Sequence, residues 1–319
     1  RQENYEYPGA LPQVTPHNIQ EDLKRRDFTI NSIAMNLSGD SFGTILDPHN
    51  GLKDLKLRVI RVLHPKSFLD DSTRILRAIR YEQRLGFQLA ETTQQLLSKA
   101  LKKEIFSTIS SDRIRRELQL TLEEPEPAAP LIRAGKLGVL ASIYPALSDV
   151  SFLRDMGARN EKNQPLLYLA AIIYHLSPKE GKGLINRLNM PTQWAQTALH
   201  TISMKIQEPL LGSSNIRPSE VFNLIHSLSD ISIHAVQLFT KSAQVKRNIF
   251  TYLNELRNVK PLLTGQDILK LGAIEGPQIG NILNDLHKSH LDKEISTREE
   301  AIALAKKFLM AADCSQKTC

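Results

Sequence analysis

Apolar positions run in short β-branched stretches over the first 60 or so residues and fall at helical spacing over the rest. Residues 1–20, rich in Pro, Gly and Asn, show no period and read as a loop. Ile30, Ile33, Ala34 and Leu37 follow a helical spacing, so the segment Arg25-Arg26-Asp27-Phe28-Thr29-Ile30-Asn31 is expected to open a short helix. Phe42 to Leu46 and Leu57 to Leu63 suit strands, with a turn between them at Asp47-Pro-His-Asn-Gly51. From about Ser67 the pattern is helical almost throughout. Glu123-Glu-Pro-Glu-Pro-Ala-Ala-Pro130 breaks it, and amphipathic helices with short loops follow to about Val259. The run Leu263 to Gly280 reads as helix, tight turn, helix, with Gly276 supplying the turn and Pro277 suited to the next first turn.

Within that helical remainder, one stretch carries chemistry as well as pattern. Asp70 and Asp71 stand where a helix would be capped, and Ile75, Leu76 and Ile79 continue as an apolar stripe. Asp71, Arg74 and Arg77 recur at three-residue intervals and so share a face, with Arg80 next in line. A carboxylate that accepts beside a guanidinium that donates matches the edge of a nucleobase, and further arginines suit phosphates. The plainer reading of the same spacing is a capped helix with an intrahelical Asp71–Arg74 pair and a solvated basic face.

Composition narrows the partners. Lys plus Arg number 41 against 34 Asp plus Glu, and residues 61–120 alone hold 12 basic and 7 acidic side chains, which is +5 of the net +7. That concentration points to a polyanion. The only cysteines, Cys314 and Cys319, give neither a disulfide framework nor a zinc spacing, which fits a reducing cytoplasm. The most apolar run, Pro165 to Tyr174, is about half the ~20 residues of a membrane span and reads as a buried helix. Trp194, the single tryptophan, reads as a packing residue, and the nine scattered histidines suggest no metal site.

Three ordered motifs decide between these readings. Arg25-Arg26-Asp27-Phe28-Thr29-Ile30-Asn31-Ser32, then Asp47-Pro-His-Asn-Gly51-Leu-Lys-Asp54-Leu55, then Asp70-Asp71-Ser-Thr-Arg74-Ile-Leu-Arg77 resemble motifs B, C and D of the class II tRNA nucleotidyltransferase and bacterial poly(A) polymerase family. The opening Arg1-Gln-Glu3-Asn-Tyr5 with Pro8-Gly9-Ala10-Leu11-Pro12 resembles a variant found in longer members. Asp112-Arg113-Ile114-Arg115-Arg116-Glu117-Leu118 is similar to a helix of the family's neck, and Leu263 to Gly280 to a segment of its tail. Asp70 stands where many members have Glu, and Ser32 where Ala is usual.

The resemblance implies a mainly α fold: a C-terminal remnant of an α/β, polymerase-β-like nucleotidyltransferase head (1–62), then an all-helical neck (63–125), body (126–259) and tail (260–319). It implies transfer of nucleotides from CTP or ATP to the 3′ end of tRNA or another RNA, with no membrane. Asp71 and Arg74 would pair with the incoming base, Arg77 and Arg80 would contact the nucleotide, and Arg26, Asp27 and Asn31 would lie near its ribose and triphosphate. Arg113, Arg115, Arg116 and the turn at Gly276 and Gly280 are the expected RNA contacts, the turn because a helix start can hold a phosphate. The family's GGxxRD turn and Asp-x-Asp metal site do not occur ahead of Asp22. The expectation is therefore a fragment whose Mg2+ ligands lie upstream, supplying base selection and RNA binding while inactive alone. A non-catalytic RNA-binding module and a poly(A) polymerase remain the alternatives.

Overall fold

A computed structural model describes residues 2–4, 13–157 and 164–316. Arg1, Tyr5 and the stretch from Pro8 to Pro12, all quoted for the resemblance, lie outside the described residues, as does Cys319. The chain divides into two compact units, residues 1–199 and 200–319. The segment 126–259 is shared between them.

The first unit begins with three pairs of short strands. β1 (Gln2–Asn4) and β2 (Gln13–Thr15) pair antiparallel with Glu3 opposite Val14, and α1 (Ile19–Lys24) follows. The expected loop over residues 1–20 thus contains two strands and the start of α1, each strand too short to leave a period in the sequence. Asn18 starts α1 by accepting from the Glu21 amide. β3 (Ala34–Met35) and β4 (Ile45–Leu46) pair antiparallel, while β5 (Val59–Ile60) and β6 (Gln88–Leu89) pair parallel.

The helix expected to open at the Arg-Arg-Asp-Phe-Thr-Ile-Asn segment shrinks to one 3-10 turn, Thr29–Asn31. Asp27 Oδ1 accepts from the Phe28 amide and from Asn31 Nδ2, and Phe28 bridges to Val62, so local and tertiary bonds outbid the helical ones. The run Leu57 to Leu63 yields only the two residues of β5, because α2 (Gly51–Leu57) takes its start. Asp47 holds the head of α2 by accepting from the amides of Gly51 and Leu52. A Cβ at Gly51 would stand 2.2 Å from the Thr29 carbonyl oxygen, so only glycine lets α2 approach the 3-10 turn this closely. Asp54, further along α2, accepts from Thr29 Oγ1 at 2.7 Å and from Arg61 at 2.9 Å.

The helical part of this unit comprises α3 (Ser67–Asp70), α4 (Thr73–Leu85), α5 (Glu91–Leu101), α6 (Ser111–Leu122), α7 (Ala128–Lys136), α8 (Val139–Ile143), α9 (Gln164–His175) and α10 (Pro178–Arg187). Ile75, Leu76, Ala78 and Ile79 bury one side of α4. On its flank Glu82, almost fully buried, is held by Arg133 from α7 at 2.9 and 3.1 Å. The apolar run from Pro165 lies in α9 and is buried from Leu166 to Ile173, and Trp194 is a core residue. No helix among the described residues is long and apolar enough to cross a membrane.

The long α11 (Thr192–Leu211) contains the boundary between the two units. The second unit then holds α12 (Pro218–Ile225), α13 (Asp230–Phe239), α14 (Ala243–Asn254), α15 (Gly265–Lys270), α16 (Pro277–Leu291) and α17 (Arg298–Gln316). Its last three helices close over Leu263, Ile268, Ile282, Leu286, Ile295, Ala301 and Ala305. Gly276 joins α15 to α16 at φ +155° and ψ −174°, a region open to glycine alone, and Pro277 begins α16, as the spacing predicts. The described residues are mainly helical, with a small strand-bearing part in the first unit, the predicted fold class.

Candidate nucleotide-binding cleft

Four segments meet around a cleft of ≈ 570 Å³ in the first unit: the end of α1, the 3-10 turn after it, the α3–α4 junction with α4, and α6. Five arginines line it (Arg25, Arg26, Arg74, Arg77 and Arg113) against three carboxylates (Asp27, Asp71 and Glu117), with Asn31, Thr73 and Tyr81 between them. The excess of guanidinium makes it an anion site with acceptors placed inside it.

Asp27 is nearly buried and fully engaged. Its Oδ1 holds the turn and its Oδ2 accepts from Arg77 Nε at 2.9 Å and Nη2 at 2.6 Å. Burial pulls the Arg77 guanidinium down, but Asp27 and, further off, Tyr81 and Glu117 outweigh it, and its pKa is raised. Arg77 also lies 3.6 Å from Glu117 on α6 and 5.7 Å from the Tyr81 ring centroid. Arg26 stays half-exposed, reaching Asp22 at 3.1 Å. Arg25 reaches the other oxygen of Asp22 at 2.8 Å, and these arginines hold the Asp22 carboxyl well below the usual carboxylate range.

Asp71 is not on the helix. α3 ends at Asp70, and Asp71 follows in extended conformation, φ −142° and ψ 99°, before α4 starts at Thr73. Its Oδ1 accepts from the Thr73 amide at 3.0 Å, from Thr73 Oγ1 at 2.6 Å and from Arg113 Nη2 at 2.8 Å. Arg74 is buried, with Nη1 donating to Ser67 Oγ and Nη2 to the Arg25 carbonyl, both at 2.9 Å. The two residues therefore share a cleft without forming the intrahelical pair that the spacing allows. The reason is the break at residues 71–72, where the Asp71 side chain caps its own downstream backbone.

The other expected residues scatter. Arg80 is buried away from this cleft, between Glu117 at 3.2 Å and Glu124 at 3.3 Å. Arg113, an expected RNA contact, lines this cleft. Arg115 braces α6 against the end of α10, donating to the carbonyls of Leu188 and Asn189 and pairing with Asp112 at 2.7 Å. Arg116 is exposed. Gly276 and Gly280 lie exposed on the second unit, at the start of α16. Arg25, Thr73, Tyr81 and Glu117 enter the cleft unforeseen, although Arg25, Thr73 and Glu117 stood within quoted motifs.

Residues 1–61 match the Poly A polymerase head domain. The chain is 33% identical over 330 residues to the A-adding tRNA nucleotidyltransferase of Geobacter sulfurreducens, covering 96% of this chain and 37% of that protein. A solved CCA-adding enzyme, apo form II, superposes with a TM-score of 0.77 at 30% identity, over 98% of this chain and 76% of that one. The chain belongs to the class II tRNA nucleotidyltransferase and bacterial poly(A) polymerase family. A Thermotoga maritima family member, solved as a CCA-adding enzyme complexed with tRNA_CCA, matches with a TM-score of 0.72 at 29% identity, over 91% of this chain and 74% of that one. Within the family this chain spans little more than a third of its Geobacter relative's length.

Proposed function

We propose that this chain carries the nucleotide-selecting and RNA-binding part of a template-independent nucleotidyl transfer, the addition of C or A from CTP or ATP to the 3′ end of tRNA. The observation that carries this reading is the cleft. It draws Arg26, Asp27, Asn31, Asp71, Arg74 and Arg77 from segments as much as 50 residues apart into one positively charged site. In this reading Asp71 and Arg74 present an acceptor and donors to the edge of the base. Arg26 and Arg77 meet the triphosphate, while Asp27 and Asn31 hold the ribose side. Arg80 supports Arg77 from behind through Glu117, which both of them reach. Head remnant (1–62), neck (63–125), body (126–259) and tail (260–319) would divide the work, with nucleotide in the neck and RNA along the helical remainder. The chemistry belongs in the cytoplasm.

The cleft does not fit a divalent cation. Asp27 and Glu117 are each committed to arginine, and Asp71 to Arg113 and Thr73. Among the described residues no three His, Cys, Asp or Glu side chains gather to hold a metal ion. The Mg2+ of such a transfer would be held by carboxylates outside this cleft, and on this reading the isolated chain is inactive.

The test is transfer by the full-length protein to tRNAs ending at each stage of the CCA sequence, with each nucleoside triphosphate, for wild type and Asp71→Ala. The reading expects nucleotide choice to degrade while tRNA affinity holds. Long homopolymeric A tails would instead mark a poly(A) polymerase. tRNA binding without any transfer would mark a non-catalytic RNA-binding protein, and unchanged CTP and ATP kinetics in Asp71→Ala would remove Asp71 from the site.

A further inference from the structure

The last turns of α4, the end of α6 and the start of α7 enclose a second cavity of ≈ 760 Å³, and none of the residues lining it lines the nucleotide cleft. Its volume lies within the range of small-molecule sites. Its most buried charge is Arg80, 7% exposed at its side chain and held by Glu117 and Glu124. Arg80 Nε is itself buried without a hydrogen-bond partner. Leu120, Ala129 and Pro130 supply an apolar wall.

The other charges around this cavity are unequally committed. Glu124 accepts from Arg80 at 3.3 Å, and Glu123 accepts from Gln119 Nε2 at 2.9 Å. Glu126 is exposed and has no hydrogen bond or ion pair among the described residues. Arg84 is 57% exposed at its side chain and lies 3.8 Å from Glu124, beyond hydrogen-bond reach. Arg84 and Glu126 thus line one cavity with opposite charges, and no ion pair joins them.

We infer that this cavity is a binding site for a zwitterion of the amino-acid class. The ligand's carboxylate would meet Arg84 beside Arg80, its ammonium Glu126, and its side chain the wall of Leu120, Ala129 and Pro130. The signs of the lining select this class. Three carboxylates against two guanidinium groups oppose a simple anion such as phosphate, while a simple amine meets Arg84 and Arg80. A ligand carrying both signs answers each uncommitted charge with its opposite. It gives Arg84 and Glu126 the charge-assisted hydrogen bonds that neither makes within the protein. Apolar contact then orients whatever the amino acid carries beyond its α-carbon.

The experiment is calorimetric titration of the full-length protein with L-phenylalanine, L-leucine, N-acetyl-L-phenylalanine and L-phenylalanine amide, each with and without saturating CTP. Both free amino acids should bind saturably, and blocking either the amine or the carboxyl should weaken phenylalanine about tenfold, the effect of one charge-assisted bond. Arg84→Met and Glu126→Gln change exposed side chains that the fold tolerates, and each should weaken free phenylalanine to a similar extent. In Arg84→Met the amide should bind no worse than the acid, and in Glu126→Gln the acetylated form no worse than the free amine. Lys102→Met, at the end of α5 and outside the cavity, should change nothing. Absence of saturable binding at millimolar amino acid would overturn the inference. So would equal binding of a blocked analogue by the wild type, or undiminished binding in both cavity variants. Displacement by CTP would put the amino acid in the nucleotide cleft and overturn it too.

Discussion

Arg77 donates from both Nε and Nη2 to one oxygen of Asp27, 50 residues earlier in the chain. The acid belongs to the turn after α1 and the arginine to the middle of α4, so this pair ties the strand-bearing part of the first unit to its helices. Asp27 is 8% exposed at its side chain and Arg77 31%.

Removing one partner of so buried a pair leaves the other uncompensated, a cost of about 3 kcal/mol. Asp27→Ala should therefore lower stability by roughly that amount, and it also releases the Phe28 amide and Asn31. Arg77→Met should cost less, because Asp27 keeps the Phe28 amide and Asn31 as donors and Glu117 keeps Arg80. A double-mutant cycle read by urea unfolding should show the two losses to be strongly non-additive. Additive losses would mean that the two residues stabilise the fold independently.

The sequence carried the helical majority because long amphipathic runs depend on local spacing. α4, the buried α9 and the Gly276–Pro277 corner all form where their residues predict. The strand-bearing part was harder to read, because its elements are two or three residues long and are set by partners. Phe28 pairs with Val62 and Val59 with Gln88, neither of which a local window includes. The cleft shows the same division. Motif spacing pointed to Asp27, Asn31, Asp71, Arg74 and Arg77, and the fold brings them together. The three arginines of α6 look alike in sequence, yet one enters the cleft, one braces α10 and one faces solvent. Only the neighbours packed around α6 distinguish them.

That difference changes what is expected of RNA binding. Arg115 spends its donors on backbone carbonyls and Asp112, so Arg115→Ala should weaken the attachment of α6 to the end of α10 and leave the salt dependence of tRNA affinity unchanged. Arg116 is exposed, and if it meets a phosphate, Arg116→Ala should reduce the slope of log affinity against log salt by about 1. Filter binding of tRNA at several salt concentrations, beside thermal unfolding of both variants, checks the two together. A slope altered in Arg115→Ala but not in Arg116→Ala would reverse the assignment.

The second unit has its own titrating group. On α16, His287 packs edge-on against Phe222 of α12, with ring centroids 5.1 Å apart, and its Nδ1 is buried without a hydrogen-bond partner. Burial, then the nearby His290 and His226, lowers its pKa below the ordinary 6.5. An unfolded chain therefore takes up this proton at higher pH than the folded one does. The α12–α16 packing should be at its strongest above about pH 6.5 and weaken as pH falls from there through the lower folded value. Asp292 also ties the end of α16 to the amide and hydroxyl of Ser219 at the start of α12. Urea unfolding at pH 7.5 and 5.5, followed by hydrogen exchange of α12 and α16 amides, should show the loss in wild type. His287→Phe, which keeps the aromatic contact and discards the proton site, should flatten it. An undiminished loss in that variant would assign the pH dependence to other groups.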